Sequence, residues 1–249
     1  MTTTASPTTE ELFREDASLL ACEARIVAVD GPTIVLDRTV FYPLGGGQAG
    51  DAGTLQLADG RSIAIADTRK GAVPGQIAHL AAPGQEALLP ALVPGTAVTA
   101  RIDAERRRRH MRFHTTTHLL CALVPHPVDG CSITADYARL DFHTAEPLDK
   151  DALNAGLARL VAEAHPVRHR WISEAELDAN PGLVRSMRVQ PPRSESGLGR
   201  IRVIEVEGVD QQPCGGTHVA NTAEIGAVVV TKVEKKAALT RRVVLGFAA

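Results

Sequence analysis

Aromatic side chains are scarce in this sequence: one Trp, two Tyr and five Phe make up 3% of 249 residues. The interior must be filled by Val, Leu, Ile and Ala, and a hydrophobic fraction of 44% is ordinary for a globular chain. No apolar run reaches the roughly 18–20 residues of a membrane-spanning helix, so no membrane association is expected. Charge is nearly balanced, with 27 Lys and Arg against 29 Asp and Glu for a net charge of -2. That excludes a global basic field, and any nucleic-acid contact must come from a local patch. Cysteine is limited to Cys22, Cys121, Cys131 and Cys214. The N-terminus is Thr-rich and acidic and shows no apolar secretory leader. A cytoplasmic location is expected, with the thiols free or metal-bound rather than paired.

The length fits one large domain or two ordinary ones. Residues 1–9 resemble a frayed tail, and residues 10–14 could form one capped helical turn. From there to about 103, short β-type runs alternate with turn signals. The runs lie at 24–29, 33–36, 39–41, 53–57, 62–66, 76–80 and 97–102. Asp30-Gly31-Pro32, the 45–53 loop, Asp59-Gly60, Pro74-Gly75 and Pro83-Gly84 separate them. Such spacing predicts a small β-barrel over residues 1–103. At Ala104 the texture changes. Residues 105–124 hold no Gly or Pro and predict a long helix ended by Pro125. Helices are also predicted at 149–164 and 173–179, the latter capped by Ser173. Extended runs lie at 132–135, 138–142, 167–172, 200–206, 228–233 and 242–247. Residues 104–249 therefore predict an α+β domain with helices packed on a mostly antiparallel sheet.

Two short stretches carry chemistry. His114-Thr115-Thr116-Thr117-His118 places two imidazoles four positions apart on one face of the long helix. Cys214-Gly215-Gly216-Thr217-His218 repeats the spacing, with glycines that favour a tight loop over a helix. Together they offer three imidazoles and one thiolate, a donor set for one four-coordinate zinc per chain. The zinc-protease version of this spacing needs a Glu directly after the first His; Thr115 stands there, which excludes it. Structural zinc sites are rich in thiolates and catalytic ones in imidazoles, so this set leans towards catalysis.

HTTTH and CGGTH occur together with Phe41-Tyr42-Pro43, Gly45-Gly46-Gly47-Gln48, Arg139-Leu140-Asp141-Phe142 and Asn221-Thr222-Ala223-Glu224-Ile225-Gly226. As a set, from about residue 12 to 247, they resemble the editing domain of alanyl-tRNA synthetase. The likeness is closer to its free-standing relatives, the alanyl-tRNA editing proteins of the AlaX group. That resemblance implies a β-barrel followed by an α+β domain of the kind shared with the threonyl-tRNA synthetase editing region. It implies zinc held by His114, His118, Cys214 and His218. It further implies hydrolysis of the ester that joins serine or glycine wrongly to tRNA(Ala). Two departures stand in the glycine loop: Leu44 where an acidic residue is usual, and Ala49 where proline is usual.

On this basis Thr115, Thr116, Thr117 and Gln212 are candidate catalytic or substrate-sensing residues, although helix threonines also bond back to the preceding turn. Gly45, Gly46, Gly47 and Gln48 are candidates for a substrate-binding loop. Arg106 and Arg109, from the run Arg106–Arg109, are candidates for phosphate contact, against the alternative of a solvated face. Lys232, Lys235, Lys236, Arg241 and Arg242 could extend that patch. Arg139 and Asp141 are expected to form a structural pair. Cys22, Cys121 and Cys131 are expected to be small buried hydrophobes. About 100 residues before the editing-type region are too few for an adenylation domain, so a trans-acting deacylase is expected, with a monomer favoured among oligomeric states the sequence leaves open. The rivals are a deacylase for another tRNA, such as that for threonine, and a non-catalytic zinc-stabilised RNA-binding module.

Overall fold

The structure is a computed structural model and describes residues 8–187 and 199–248. The chain forms two compact units. One runs to Gly45 and resumes over Gly50–Arg107; the other takes Gly46–Ala49 and the chain from Arg108 onward.

In the first unit the strands are β1 (Glu10–Glu11), β2 (Ala21–Asp30), β3 (Thr33–Leu36), β4 (Arg38–Thr39), β5 (Gly53–Leu57), β6 (Ser62–Lys70), β7 (Ile77–Ala81) and β8 (Ala97–Ile102). Six of them close into the barrel β2-β3-β7-β6-β5-β8, in which every neighbour is antiparallel. Alternation along the strands sends Ala24, Ile26, Leu55, Leu57, Ile63, Ile65, Val98, Ala100 and Ile102 inward. Each large aliphatic side chain so buried contributes about 1.5–3 kcal/mol, which is how a chain poor in aromatics fills this core. The expected 62–66 run continues to Lys70, and the 39–41 run is replaced by the two-residue β4, paired in parallel with β1.

Of the expected frayed tail, residues 1–7 lie outside the described residues, but Thr9 is fixed. Its hydroxyl donates to Leu36 O at 2.8 Å and accepts from Ile77 N at 3.2 Å. A short 3-10 turn at Leu12–Arg14 follows.

The barrel unit also buries an ion pair and an imidazole. Asp51 and Arg107 pair almost without solvent exposure. The Arg107 guanidinium also donates to Val40 O at 2.6 Å and Ala17 O at 2.8 Å, while Tyr42 N donates to Asp51 Oδ2 at 2.7 Å. One member of the expected basic run is therefore a buried structural cation. His79 lies fully inside the barrel between Thr39 Oγ1 (2.8 Å) and Ile34 O (3.1 Å). Burial disfavours its imidazolium and pushes the pKa down to about 4.

In the second unit, α1 (Ala104–Leu123, shared at its first turn with the barrel unit) leads to β9 (Val128–Ile133), β10 (Ala138–His143), α2 (Lys150–Ala162), β11 (Val167–Ser173) and α3 (Glu174–Ala179). Then come β12 (Arg200–Val206), β13 (Asp210–Pro213), β14 (Val228–Ala237) and β15 (Thr240–Phe247). Two antiparallel sheets result, β14-β15-β10-β9 and β11-β12-β13. The α+β class with a preceding barrel is therefore observed as expected. Asp149 caps α2 by accepting from Asp151 N and Ala152 N, and Ser173 caps α3. Leu153, Leu157 and Leu160 of α2 join Phe113, Leu119 and Leu120 of α1 and Leu140, Phe142, Val243 and Leu245 of the larger sheet in one core. Asp141 pairs with Arg242 across β10 and β15, at 2.6 and 2.7 Å, rather than with Arg139 of its own strand. Side chains two apart on a strand lie farther from each other than directly opposed cross-strand neighbours. Among the described residues no helix is long and apolar enough to cross a membrane.

Two outcomes follow for the barrel unit. Asp51→Ala leaves Arg107 charged, buried and without its carboxylate, and is expected to cost about 3–5 kcal/mol, measured as a lower urea midpoint. For His79 the unfolded chain, near 6.5, binds the proton more tightly than the folded barrel, near 4. Its contribution to stability is thus intact above about pH 6.5 and lost as pH falls towards 4, about 3 kcal/mol in all. Urea unfolding between pH 7 and pH 4 should show a steeper acid loss for the native protein than for His79→Gln.

Candidate metal centre

Every residue of α1 from Phe113 to Cys121 is buried, including the polar run His114–His118. A helix this deeply enclosed must find partners for its polar side chains, because an unsatisfied buried group costs about 1–3 kcal/mol. Those partners come from α1 itself, the Gly46–Ala49 loop, β13, and the segment after β13 that holds Cys214 and His218.

The helical spacing puts the His114 and His118 rings side by side, centroids 5.7 Å apart. His218 packs against both, at 4.3 Å and 4.6 Å. Cys214 Sγ lies 3.4 Å from His114 Nε2 and 3.3 Å from His218 Nε2. One ligating atom from each of His114, His118, Cys214 and His218 falls within 4.8 Å of all the others. Ligands at the usual zinc–nitrogen and zinc–sulfur lengths around a tetrahedral ion sit roughly 3.5 Å apart, so the group fits one such ion.

The far nitrogen of each ring is also accounted for. His114 Nδ1 meets Gln48 Oε1 at 2.7 Å, His118 Nδ1 meets Asp210 Oδ2 at 3.1 Å, and His218 Nδ1 meets Thr115 Oγ1 at 3.2 Å. With Nδ1 directed outward to its partner, each ring turns Nε2 to the centre, the nitrogen left to bind a metal. The outer partners are themselves held. Gln48 Nε2 donates to Thr217 Oγ1 at 2.9 Å, Gln212 Nε2 donates to Asp210 Oδ2 at 2.8 Å, and Val219 N donates to Thr115 Oγ1 at 3.3 Å. Arg202, buried on β12, donates to Cys214 O at 3.1 Å and Gly216 O at 2.9 Å and so shapes the CGG turn. Gly216 is required there: a Cβ on it would overlap the His114 ring.

Protonation follows this packing. Burial opposes a charge on Cys214, but His114 beside it and the hydrogen bonds from His114 and His118 overcome it and hold the thiol well below its ordinary range. Burial, reinforced by His114, keeps His218 neutral, well below the usual imidazole range. Burial also works against a charge on His118, yet the hydrogen bond to Asp210 and the neighbouring Cys214 raise it to about 9. A thiolate and a neutral imidazole are ready ligands, and a metal arriving at His118 would displace a proton.

The remaining candidate residues lie as follows. The Thr116 and Thr117 hydroxyls donate back to Arg112 O (2.8 Å) and His114 O (2.7 Å). Gly46, Gly47 and Gln48 belong to the second unit. Gly47 has φ 87° and hydrogen-bonds through its carbonyl to Ile133 N at 2.7 Å. Its α-carbon faces Cys131 so closely that a side chain would crowd that residue. Gly45 stays with the first unit, its carbonyl accepting from Tyr42 Oη at 2.8 Å. Arg106, also in that unit, donates to Gly50 O at 3.1 Å. Arg109 donates to Ala135 O at 2.5 Å and lies 4.5 Å from the Phe247 ring centroid, with Arg112 on the same ring at 4.3 Å. Cys121 is buried as expected, and burial raises its pKa to about 12; Cys131 and Cys22 are partly buried.

Asp210 and Arg202 were not assigned roles from the sequence. The signal for Asp210 was present: Asp210, Gln212 and Cys214 alternate, which on a strand places them on one face. Asp210→Ala should free the His118 ring and weaken metal binding roughly ten- to hundredfold. Gln48→Ala should act similarly through His114; competition against a chromophoric chelator measures both.

Residues 201–244 match the family described as the threonyl and alanyl tRNA synthetase second additional domain, and residues 9–106 match tRNA synthetases class II (A). The alanyl-tRNA editing protein AlaX-M of Methanosarcina mazei is 35% identical over 243 residues, covering 94% of this chain and 94% of the relative. The AlaX-M protein of Saccharolobus solfataricus is 32% identical over 246 residues, covering 94% and 97%. The alanine–tRNA ligase of Pyrococcus abyssi is 34% identical over 240 residues, which span 92% of this chain but 25% of the ligase. Near-complete coverage of the AlaX-M proteins, against a quarter of the ligase, places the match: the chain belongs to the family of the alanyl-tRNA editing proteins AlaX-M.

Proposed function

We propose that this protein is a cytoplasmic, monomeric, zinc-dependent deacylase that acts in trans on tRNA(Ala) mischarged with serine or glycine. The observation that carries the reading is the group His114, His118, Cys214 and His218, whose three rings are each oriented by an outer hydrogen-bond partner. The names of the AlaX-M relatives supply the substrate class. Such an editing site has a physical purpose. A pocket separates amino acids that differ by a methyl or a hydroxyl by only about 1–3 kcal/mol, and a second, hydrolytic site removes the errors.

In the reaction a water oxygen attacks the ester carbonyl carbon, the bond to the ribose oxygen breaks, and that oxygen takes a proton. Bound zinc supplies Lewis acidity, for polarising the carbonyl or activating the water. The chain's own residues do the rest. Gln48, Asp210 and Thr115 fix the tautomer and angle of the rings. Thr116 and Thr117 bond back into α1 and retain acceptor capacity for a substrate hydroxyl. Gln212 braces Asp210. The glycines of the Gly45–Gly47 stretch allow close backbone approach by substrate. Arg106 and Arg109 are assigned to the phosphates of the acceptor end, a salt-sensitive contribution.

Zinc-loaded protein is expected to release serine or glycine from mischarged tRNA(Ala), to spare correctly charged alanine, and to lose activity with a chelator. Cys214→Ala should fold but not turn over. A folded, zinc-loaded protein that binds tRNA and hydrolyses no aminoacyl ester would instead identify an RNA-binding module.

A further inference from the structure

The chain has a single tryptophan, Trp171 on β11, and the core makes no use of it. Pairing in the smaller sheet fixes where it points. Val167, Val206 and Asp210 form one cross-strand row, and His169, Ile204 and Gln212 form the next. Trp171 pairs with Arg202, and Cys214 N donates to Arg202 O at 3.1 Å, so Trp171, Arg202 and Cys214 continue the series. Residues two apart on a strand share a face, so Trp171 lies on the face that carries Asp210, Gln212 and Cys214. The opposite face holds Ile172, Ile201 and Val203 in a cluster of their own. Two inter-strand steps separate Trp171 from Cys214, about 10 Å between backbones.

On that face Val167, Ile204 and Val206 enter the main core, whereas Trp171 joins no buried cluster among the described residues and stays half-buried. The Arg200 guanidinium lies 4.3 Å from the ring centroid. The indole Nε1 is shielded from solvent and has no hydrogen-bond partner among the described residues. A large aromatic kept out of the core and backed by a cation is suited to a flat ligand stacked on its ring. The ester hydrolysed at the metal centre is carried by the terminal adenosine of the tRNA, and a span of about 10 Å is on the order of one aminoacylated nucleoside.

We propose that Trp171, backed by Arg200, is the stacking platform for the terminal adenine of the substrate's acceptor strand. The assignment rests on the deacylase reading and adds a base-binding residue to it. Stacking on an aromatic ring tolerates any base, so the platform holds the end of the strand without selecting the tRNA.

The lone tryptophan makes the wild-type protein its own probe. Titration with the trinucleotide CCA should quench its emission saturably, and the same trinucleotide with an abasic 3′ residue should do so far less. Trp171→Ala should raise KM for mischarged tRNA(Ala) roughly tenfold or more, with kcat little changed, and Trp171→Phe should recover most of the loss. No quench by CCA, or an unchanged KM in a folded Trp171→Ala protein with full zinc content, overturns the proposal. If the alanine variant fails to fold, the wild-type titration and Trp171→Phe decide. If zinc-loaded wild type hydrolyses no mischarged tRNA, the deacylase reading fails, while the quench still reports whether the platform binds adenosine.

Discussion

Three hydrogen bonds, from His114 to Gln48, from His118 to Asp210 and from His218 to Thr115, are the constraint on which the second unit is built. They allow a helix to carry a polar pentapeptide through the middle of a core. Without them, α1 would bury two imidazoles in arbitrary tautomers, and desolvation would act against the helix instead of being offset by it. With them, the rings are rigid before any ion arrives, and little orientational freedom is left to lose on binding.

The same logic explains why the surrounding sequence looks as it does. Gly216 exists because His114 needs the space above it, and Arg202 spends its charge on two backbone carbonyls because the CGG turn leaves them unpaired. Gly47 is open backbone for a similar reason, pressed against Cys131. These residues are a supporting layer, and their types follow from the ligands they support.

Much of this was legible from the sequence, and the limits have physical causes. Barrel, helices and the His/Cys quartet follow from local signals: alternation, capping by Ser173, and the i, i+4 spacing of His114 with His118. β13 was missed because Asp210–Pro213 is short and polar, so its alternation serves a site and not a core. Asp210 was missed with it. Arg107 could not be told from its neighbours in a run of four arginines, since only the fold shows which one meets Asp51. Gln48 was singled out with its loop, but its partner Thr217 lies 169 residues away and no local pattern connects them.

That separation has a consequence during synthesis. α1 is complete about halfway along the chain, but Asp210 and His218, the partners of its His118 and Thr115, are made roughly 90 to 100 residues later. Until β13 and the CGG turn leave the ribosome, the nascent chain carries a helix whose central residues have no finished home. Contacts of such long sequence separation form late, so the protein is most exposed to misassembly and aggregation during this interval. The His114, His118, Cys214 and His218 cluster is among the last parts of the protein that can be completed.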